Sequence, residues 1–193
     1  MVRRRRMVRR YDDRPLPEGF VDRALANAVR APSAGFTQGW AFVVLSEPEQ
    51  VARFWAVTAE PGARSAWLAG MRTAPVIVIP LACREAYLDR YAAPDKGWAD
   101  RSPDRWPVPY WYLDSAMAAL LILQTAVDEG LGGCFFGIPG GRVQAFRAEF
   151  GIPADHEPIG AITLGHPAAG GSPGSPSRRA RRALAEVVHH GGW

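Results

Sequence analysis

Residues 110–129, YWYLDSAMAALLILQTAVDE, are apolar nearly all round for about five helical turns. A surface helix keeps one polar side; this segment has none, so it predicts a central helix with other elements packed around it. Gly130 follows as its stop, because glycine takes the left-handed conformation that closes helices. The chain has 193 residues, 48% of them hydrophobic, which is enough to cover such a helix within one domain spanning 1–193.

What surrounds the helix alternates between strand and helix patterns. AFVVL at 41–45, PVIVIPLA at 75–82, GGCFFGI at 132–138 and IGAITLG at 159–165 read as buried strands. Pro80 predicts that the second of these ends, or lies at a sheet edge, at that point. Helices are expected over 18–30, over 46–58 from a capping box at Ser46–Glu49, and over 142–150, closed by Gly151.

Residues 91–109 break the alternation. They carry four prolines and the text APDKGWADRSPDRWPVP, which predicts a loop or lid whose aromatics, Trp98, Trp106, Tyr110 and Trp111, line an opening. Residues 168–193 form a Gly/Ser/Pro-rich linker and an arginine-bearing tail that ends in apolar residues.

Charge is uneven along the chain. Ten of the 23 basic residues lie in two terminal runs, 3–10 and 178–182, which leaves 13 basic against 19 acidic residues elsewhere. A nucleic-acid partner would be met by a stripe across a folded face, whereas two local runs on an acidic body can bind one small dianion equally well. Cys83 and Cys134 sit in apolar runs, as reduced buried thiols do.

The four histidines are too scattered in sequence to form a metal set, so no metal is expected. No apolar run reaches the roughly 18 residues of a membrane span, and YDDRPLPEG follows the opening arginines where a signal peptide would be apolar. A cytoplasmic protein with neither a membrane nor a nucleic-acid partner is the expectation.

Three stretches taken together resemble the nitroreductase family of flavin enzymes. RRMVRRY at 5–11 and APSAGFTQGW at 31–40 are similar to the family's opening motif pair. The central helix running into GLGGCFFG at 130–137 is similar to its glycine-rich strand. PIGAITLGHP at 158–167, then an arginine cluster and LAEVV, resembles its closing strand and tail.

The resemblance implies an α+β fold with a mostly antiparallel sheet flanked by helices, in an intertwined homodimer with FMN at each subunit interface. It implies that Arg5, Arg6, Arg9, Arg179 and Arg181 meet the FMN phosphate. It also implies that Pro32, Ser33, Ala34 and Gln38 approach the cofactor from the partner subunit, and that Gly133, Ile138, Pro139 and Gly140 lie against its ring.

Met7 stands where the family often has a serine, Phe36 replaces its asparagine and Gly39 its proline. The activity implied is reduction of nitroaromatic, quinone or enone acceptors by NAD(P)H through ping-pong hydride transfer. No side chain is nominated as catalytic, since the hydride chemistry belongs to the cofactor. The alternatives are a specialised reaction on the same fold, such as dehalogenation, flavin breakdown or ring oxidation, and a non-catalytic protein that binds a flavin or deazaflavin.

Overall fold

The computed structural model describes residues 2–60, 62–170 and 179–193. Most of the expected linker, and Arg178, lie outside these residues. In chain order the elements are α1 (Phe20–Ala28), β1 (Trp40–Leu45), α2 (Pro48–Thr58), α3 (Ala66–Met71), β2 (Val76–Cys83) and α4 (Arg84–Ala92), then α5 (Tyr110–Asp128), β3 (Gly132–Phe136), α6 (Val143–Phe150), β4 (His156–Pro158) and β5 (Ala161–Gly165).

The strands form one antiparallel sheet in the order β1-β2-β5-β3, with β4 also paired to β2. β2 is buried along its whole length, and its alternate residues serve two cores. Val76 and Val78 face α1 and α5, whereas Ile77, Ile79 and Leu81 face α2, α3 and α6. This is the period-two geometry of a strand with both faces covered, so the α+β architecture is a sheet between two helical layers.

Pro80 does not mark an edge. It sits inside β2, paired with Phe42 of β1 on one side, and its carbonyl accepts from Ile159 N–H at 3.1 Å on the other. A residue's N–H and C=O point to the same side of a strand, so the missing donor faces the Ile159–Gly160 break between β4 and β5. The one bond proline cannot donate therefore falls at the end of the β4 ladder, outside the β2–β5 pairing.

Two helix boundaries also differ from the sequence reading. The cap of α2 uses Glu47 and Gln50 in place of Ser46 and Glu49; Gln50 Oε1 accepts from Ser46 N–H at 3.1 Å and Glu47 N–H at 3.2 Å. Pro48 explains the shift, because proline favours the first helical position and leaves Glu47 as the cap. The lid segment is more ordered than its composition suggests: Tyr91 and Ala92 complete α4, and Pro103–Arg105 form a 3₁₀ turn.

Helix α5 is central on one side only. Ala118, Ala119, Ile122 and Ala126 are buried against the sheet and α1, and Asp114 and Ser115 are buried one to two turns earlier. Tyr110, Leu113, Met117 and Leu120, at helical spacing, are 37–45% exposed. Complete burial of this helix, as the sequence predicts, is therefore not met by one chain. No helix among the described residues is long and apolar enough to cross a membrane.

Candidate functional site

The N-terminal segment is laid along the free edge of β3. Met7 bridges Gly133 in parallel and Val8 N–H donates to the Gly133 carbonyl at 3.0 Å. Tyr11 anchors the far end. Its buried hydroxyl donates to the Val8 carbonyl at 2.7 Å and shares a 2.8 Å hydrogen bond with the Thr163 hydroxyl. Burial pushes this phenol well above its ordinary range, so it stays protonated and keeps its role as a donor.

Close packing requires glycine on both sides of the segment. A Cβ on Gly70 of α3 would collide with the Arg9 carbonyl, and one on Gly132 would collide with Val8.

This path fixes where the first arginines start. Arg5 and Arg9 are half-buried and Arg6 is exposed. Among the described residues the Arg9 side chain makes one hydrogen bond, to the Met7 carbonyl at 3.3 Å. Among the described residues none of Arg5, Arg6, Arg9 and Arg10 forms an ion pair, whereas Arg14, Arg23, Arg53, Arg90 and Arg105 all do. Guanidinium groups left without carboxylates, on a backbone locked to a strand, form a donor set that fits a phosphate dianion.

The chain leaves β3 as Gly137-Ile138-Pro139-Gly140-Gly141. A Cβ at Gly137, Gly140 or Gly141 would meet nothing within 4 Å, so main chain is open to a flat ring here. Ile138 and Pro139 line a cavity of about 210 Å³ with Trp55, Trp67 and Phe136. In it Trp55 stacks on Phe136 at 5.5 Å. Gly133 has a different origin: it is buried, and a Cβ there would strike Leu123 and Leu164, so internal packing already demands glycine.

Loop 31–39 forms a second group. Ser33 Oγ accepts from Gln38 N–H at 2.8 Å, and the Ser33 carbonyl accepts from Phe36 N–H at 2.9 Å. The serine hydroxyl is thus committed to the turn. Phe36 and Gln38 take left-handed backbone, φ 52° and 55°, and the Phe36 ring is 77% exposed. Pro32 is exposed and Ala34 is half-buried.

Two residues that the sequence reading did not single out hold this loop. Buried Asp114 of α5 accepts, on one carboxylate oxygen, from Ala34 N–H and from the Tyr87 hydroxyl, both at 2.8 Å. Arg90 of α4 donates to the Gly35 carbonyl at 2.9 Å and pairs with Asp95. Asp114 had a readable signal, as the one carboxylate between Tyr110 and Val127.

The four aromatics expected in the lid meet in one cluster. Trp106 is its hub, with ring centroids 5.3 Å from Trp98, 5.7 Å from Tyr110 and 6.0 Å from Trp111. Tyr91 at 4.5 Å and Tyr87 at 5.9 Å complete it. Tyr87 therefore links the aromatic cluster to loop 31–39 through Asp114.

Arg179 and Arg181 stand apart. Residues 179–193 are exposed throughout, and no hydrogen bond or ion pair among the described residues joins either arginine to Arg5, Arg6 or Arg9. Within one chain the expected site residues thus fall into separate groups: the arginines on the segment paired with β3, the loop that leaves β3, loop 31–39 with the aromatic cluster, and the tail.

The fold is an α+β sheet protein with a segment of arginines that form no ion pair among the described residues and, separately, a glycine-rich loop with open space around its main chain. The family model of the nitroreductase family matches residues 2–166, and the chain belongs to that family.

A relative from Methanothermobacter thermautotrophicus, provisionally named an NADH dehydrogenase/NAD(P)H nitroreductase, is 28% identical over 169 residues, covering 86% of this chain and 75% of its own. Among solved structures, one from Exiguobacterium sibiricum in complex with FMN superposes with a TM-score of 0.76 at 17% identity, covering 97% and 94% of the two chains. A nitroreductase-like protein from Streptococcus mutans gives 0.72 at 20% identity, covering 96% and 94%.

Proposed function

We propose that the protein is an FMN-dependent oxidoreductase that uses NAD(P)H to reduce nitroaromatic, quinone or enone acceptors, and that it works as a homodimer with the cofactor at the subunit interface. The observation that carries this reading is the set of arginines, Arg5, Arg6 and Arg9, that have no carboxylate partner among the described residues and sit on a segment locked to the edge of β3. The FMN-bound Exiguobacterium sibiricum structure and the name of the Methanothermobacter thermautotrophicus relative support the same cofactor and reductant.

In this reading Arg5, Arg6 and Arg9 hold the phosphate by charged hydrogen bonds, and Gly137, Ile138, Pro139 and Gly140 present main chain to the ring. Met7 supplies no hydroxyl, so the guanidinium groups bear the whole anchoring role. The chemistry supplied by bound FMN is acceptance of a hydride from NAD(P)H and its delivery to an acceptor that occupies the same site in turn. Gln38 and the Pro32–Ala34 backbone of a second copy close the ring's other flank, held by that copy's Asp114 and Arg90. Trp98, Trp106, Tyr110 and Trp111 shape the acceptor's entrance.

The apolar stripe on α5 supports the dimer, since Tyr110, Leu113, Met117 and Leu120 would be covered by the second copy. The exposed Leu184, Val187, Val188 and Trp193 give the tail apolar groups with which to wrap that copy, bringing Arg179 and Arg181 to the phosphate.

The test is consumption of NADH and of NADPH by FMN-loaded protein, with a quinone and a nitroaromatic as acceptors, beside light scattering for mass. Acceptor-dependent oxidation by a dimer is expected. Loaded protein that oxidises neither nucleotide would sink the enzymatic reading, and a monomer would sink the interface.

A further inference from the structure

A thiol, an imidazole and a carboxylate converge outside the groups described above. Cys83, the last residue of β2, lies directly opposite His156, the first residue of β4. Antiparallel partners in register send their side chains to the same face. Asp155 precedes β4 and brings its carboxylate between them, with Cys83 Sγ 3.7 Å from Asp155 Oδ2 and His156 Nδ1 2.8 Å from Asp155 Oδ1. The three ligand atoms all lie within 4.8 Å of one another.

The trio is hydrogen-bonded as it stands, and its separations lie close to those of a coordination site. Tetrahedral zinc, with bonds of about 2.0–2.3 Å, sets its ligand atoms roughly 3.3–3.8 Å apart. The thiol–carboxylate separation is already in that range, the imidazole–carboxylate contact must open by about 0.5 Å, and the thiol and imidazole, within 4.8 Å of each other, must close by up to about 1 Å.

The donor types narrow the ion. Thiolate with imidazole and one carboxylate suits zinc or cobalt, while magnesium and calcium take oxygen ligands. Cys83 is 7% exposed, and Asp155 lies at the surface as the point of entry. Asp155 is exposed, so a water from solvent can serve as the fourth ligand.

We propose that Cys83, Asp155 and His156 form a divalent-metal site selective for zinc or cobalt. On binding, the Cys83 thiol releases its proton to solvent, and the Asp155–His156 hydrogen bond gives way as both side chains turn to the ion. The ion then ties the start of α4 to β4. Helix α4 carries Tyr87 and Arg90, which hold loop 31–39, so occupancy stiffens that loop from behind. The inference uses no residue of the flavin site and stands or falls separately from it.

The experiment uses full-length protein stripped with a chelator and titrated with cobalt(II) alone, followed by absorbance. One cobalt per chain is expected, with the near-ultraviolet charge-transfer band of a thiolate–cobalt bond, displaced by zinc. Cys83→Ser should abolish the band and Cys134→Ser should retain it. His156→Ala keeps the thiol and should weaken cobalt binding at least tenfold, which decides the matter if Cys83→Ser fails to fold. Absence of the band in the unaltered chain, its survival in Cys83→Ser, or unchanged affinity in His156→Ala would each overturn the proposal.

Discussion

Replacing Asp114 tests how loop 31–39 is held. In Asp114→Ala the Tyr87 hydroxyl and the Ala34 N–H lose their common acceptor. Hydrogen bonds to a charged group contribute about 1.5–3 kcal/mol each, so the two together bring about 3–6 kcal/mol. Removing the carboxylate also removes the cost of burying it, which offsets part of that sum and leaves a net loss of about 2–4 kcal/mol. For a chain of this size that is a fall in Tm of roughly 5–15 °C.

Asp114→Asn makes the sharper comparison. Both bonds go to one carboxylate oxygen, so an asparagine placed with its carbonyl there keeps both acceptors and should lose about 1 kcal/mol or less. Urea unfolding of the three proteins gives the differences. The reasoning is refuted if Asp114→Ala lies within about 1 kcal/mol of the unaltered chain, or if the asparagine variant is as unstable as the alanine variant.

Gly70→Ala should push the N-terminal segment off α3, because the Arg9 carbonyl cannot yield as a side chain would; a loss of about 1–3 kcal/mol together with weaker FMN retention is expected, against little change for Gly137→Ala, where space is open. Phe36→Asn should stabilise the chain by about 0.5–1 kcal/mol, because asparagine tolerates left-handed backbone; Phe36→Ala, which keeps that backbone cost, is the control in thermal melts. Arg5→Ala and Arg179→Ala should each weaken FMN binding by about 1.5–3 kcal/mol, roughly ten- to 150-fold by fluorescence titration. An effect at Arg5 alone would mean that the two ends of the chain do not meet at one phosphate.

Much of the fold was legible because it rests on local patterns. The apolar run at 110–129, the β-branched run of β2 and the glycines at 130 and 151 each specify an element from nearby residues alone. Pro80 misled because its tolerance depends on a strand break nearly eighty residues further on. Helices α3 and α4 were missed because AWLAGM is short and REAYLDRYA lies just before the proline-rich segment that dominated the reading of that region.

The same division applies to the site. The arginine run and the open glycine loop were visible in sequence, and so were the lid aromatics. Asp114 and Arg90 were not singled out, since their role comes from contacts with a distant loop. The Cys83–His156 pairing depends on strand register, which histidine spacing alone does not encode.

The central claim is that the unpaired arginines and the loop after β3 hold FMN. Its most direct measurement is the visible spectrum of the purified protein, with mass analysis of whatever heat releases from it. A yellow protein with flavin absorbance that releases FMN, and whose colour is lost in an Arg5→Ala, Arg9→Ala double variant, is the predicted result. A colourless protein that added FMN does not reconstitute would contradict the account.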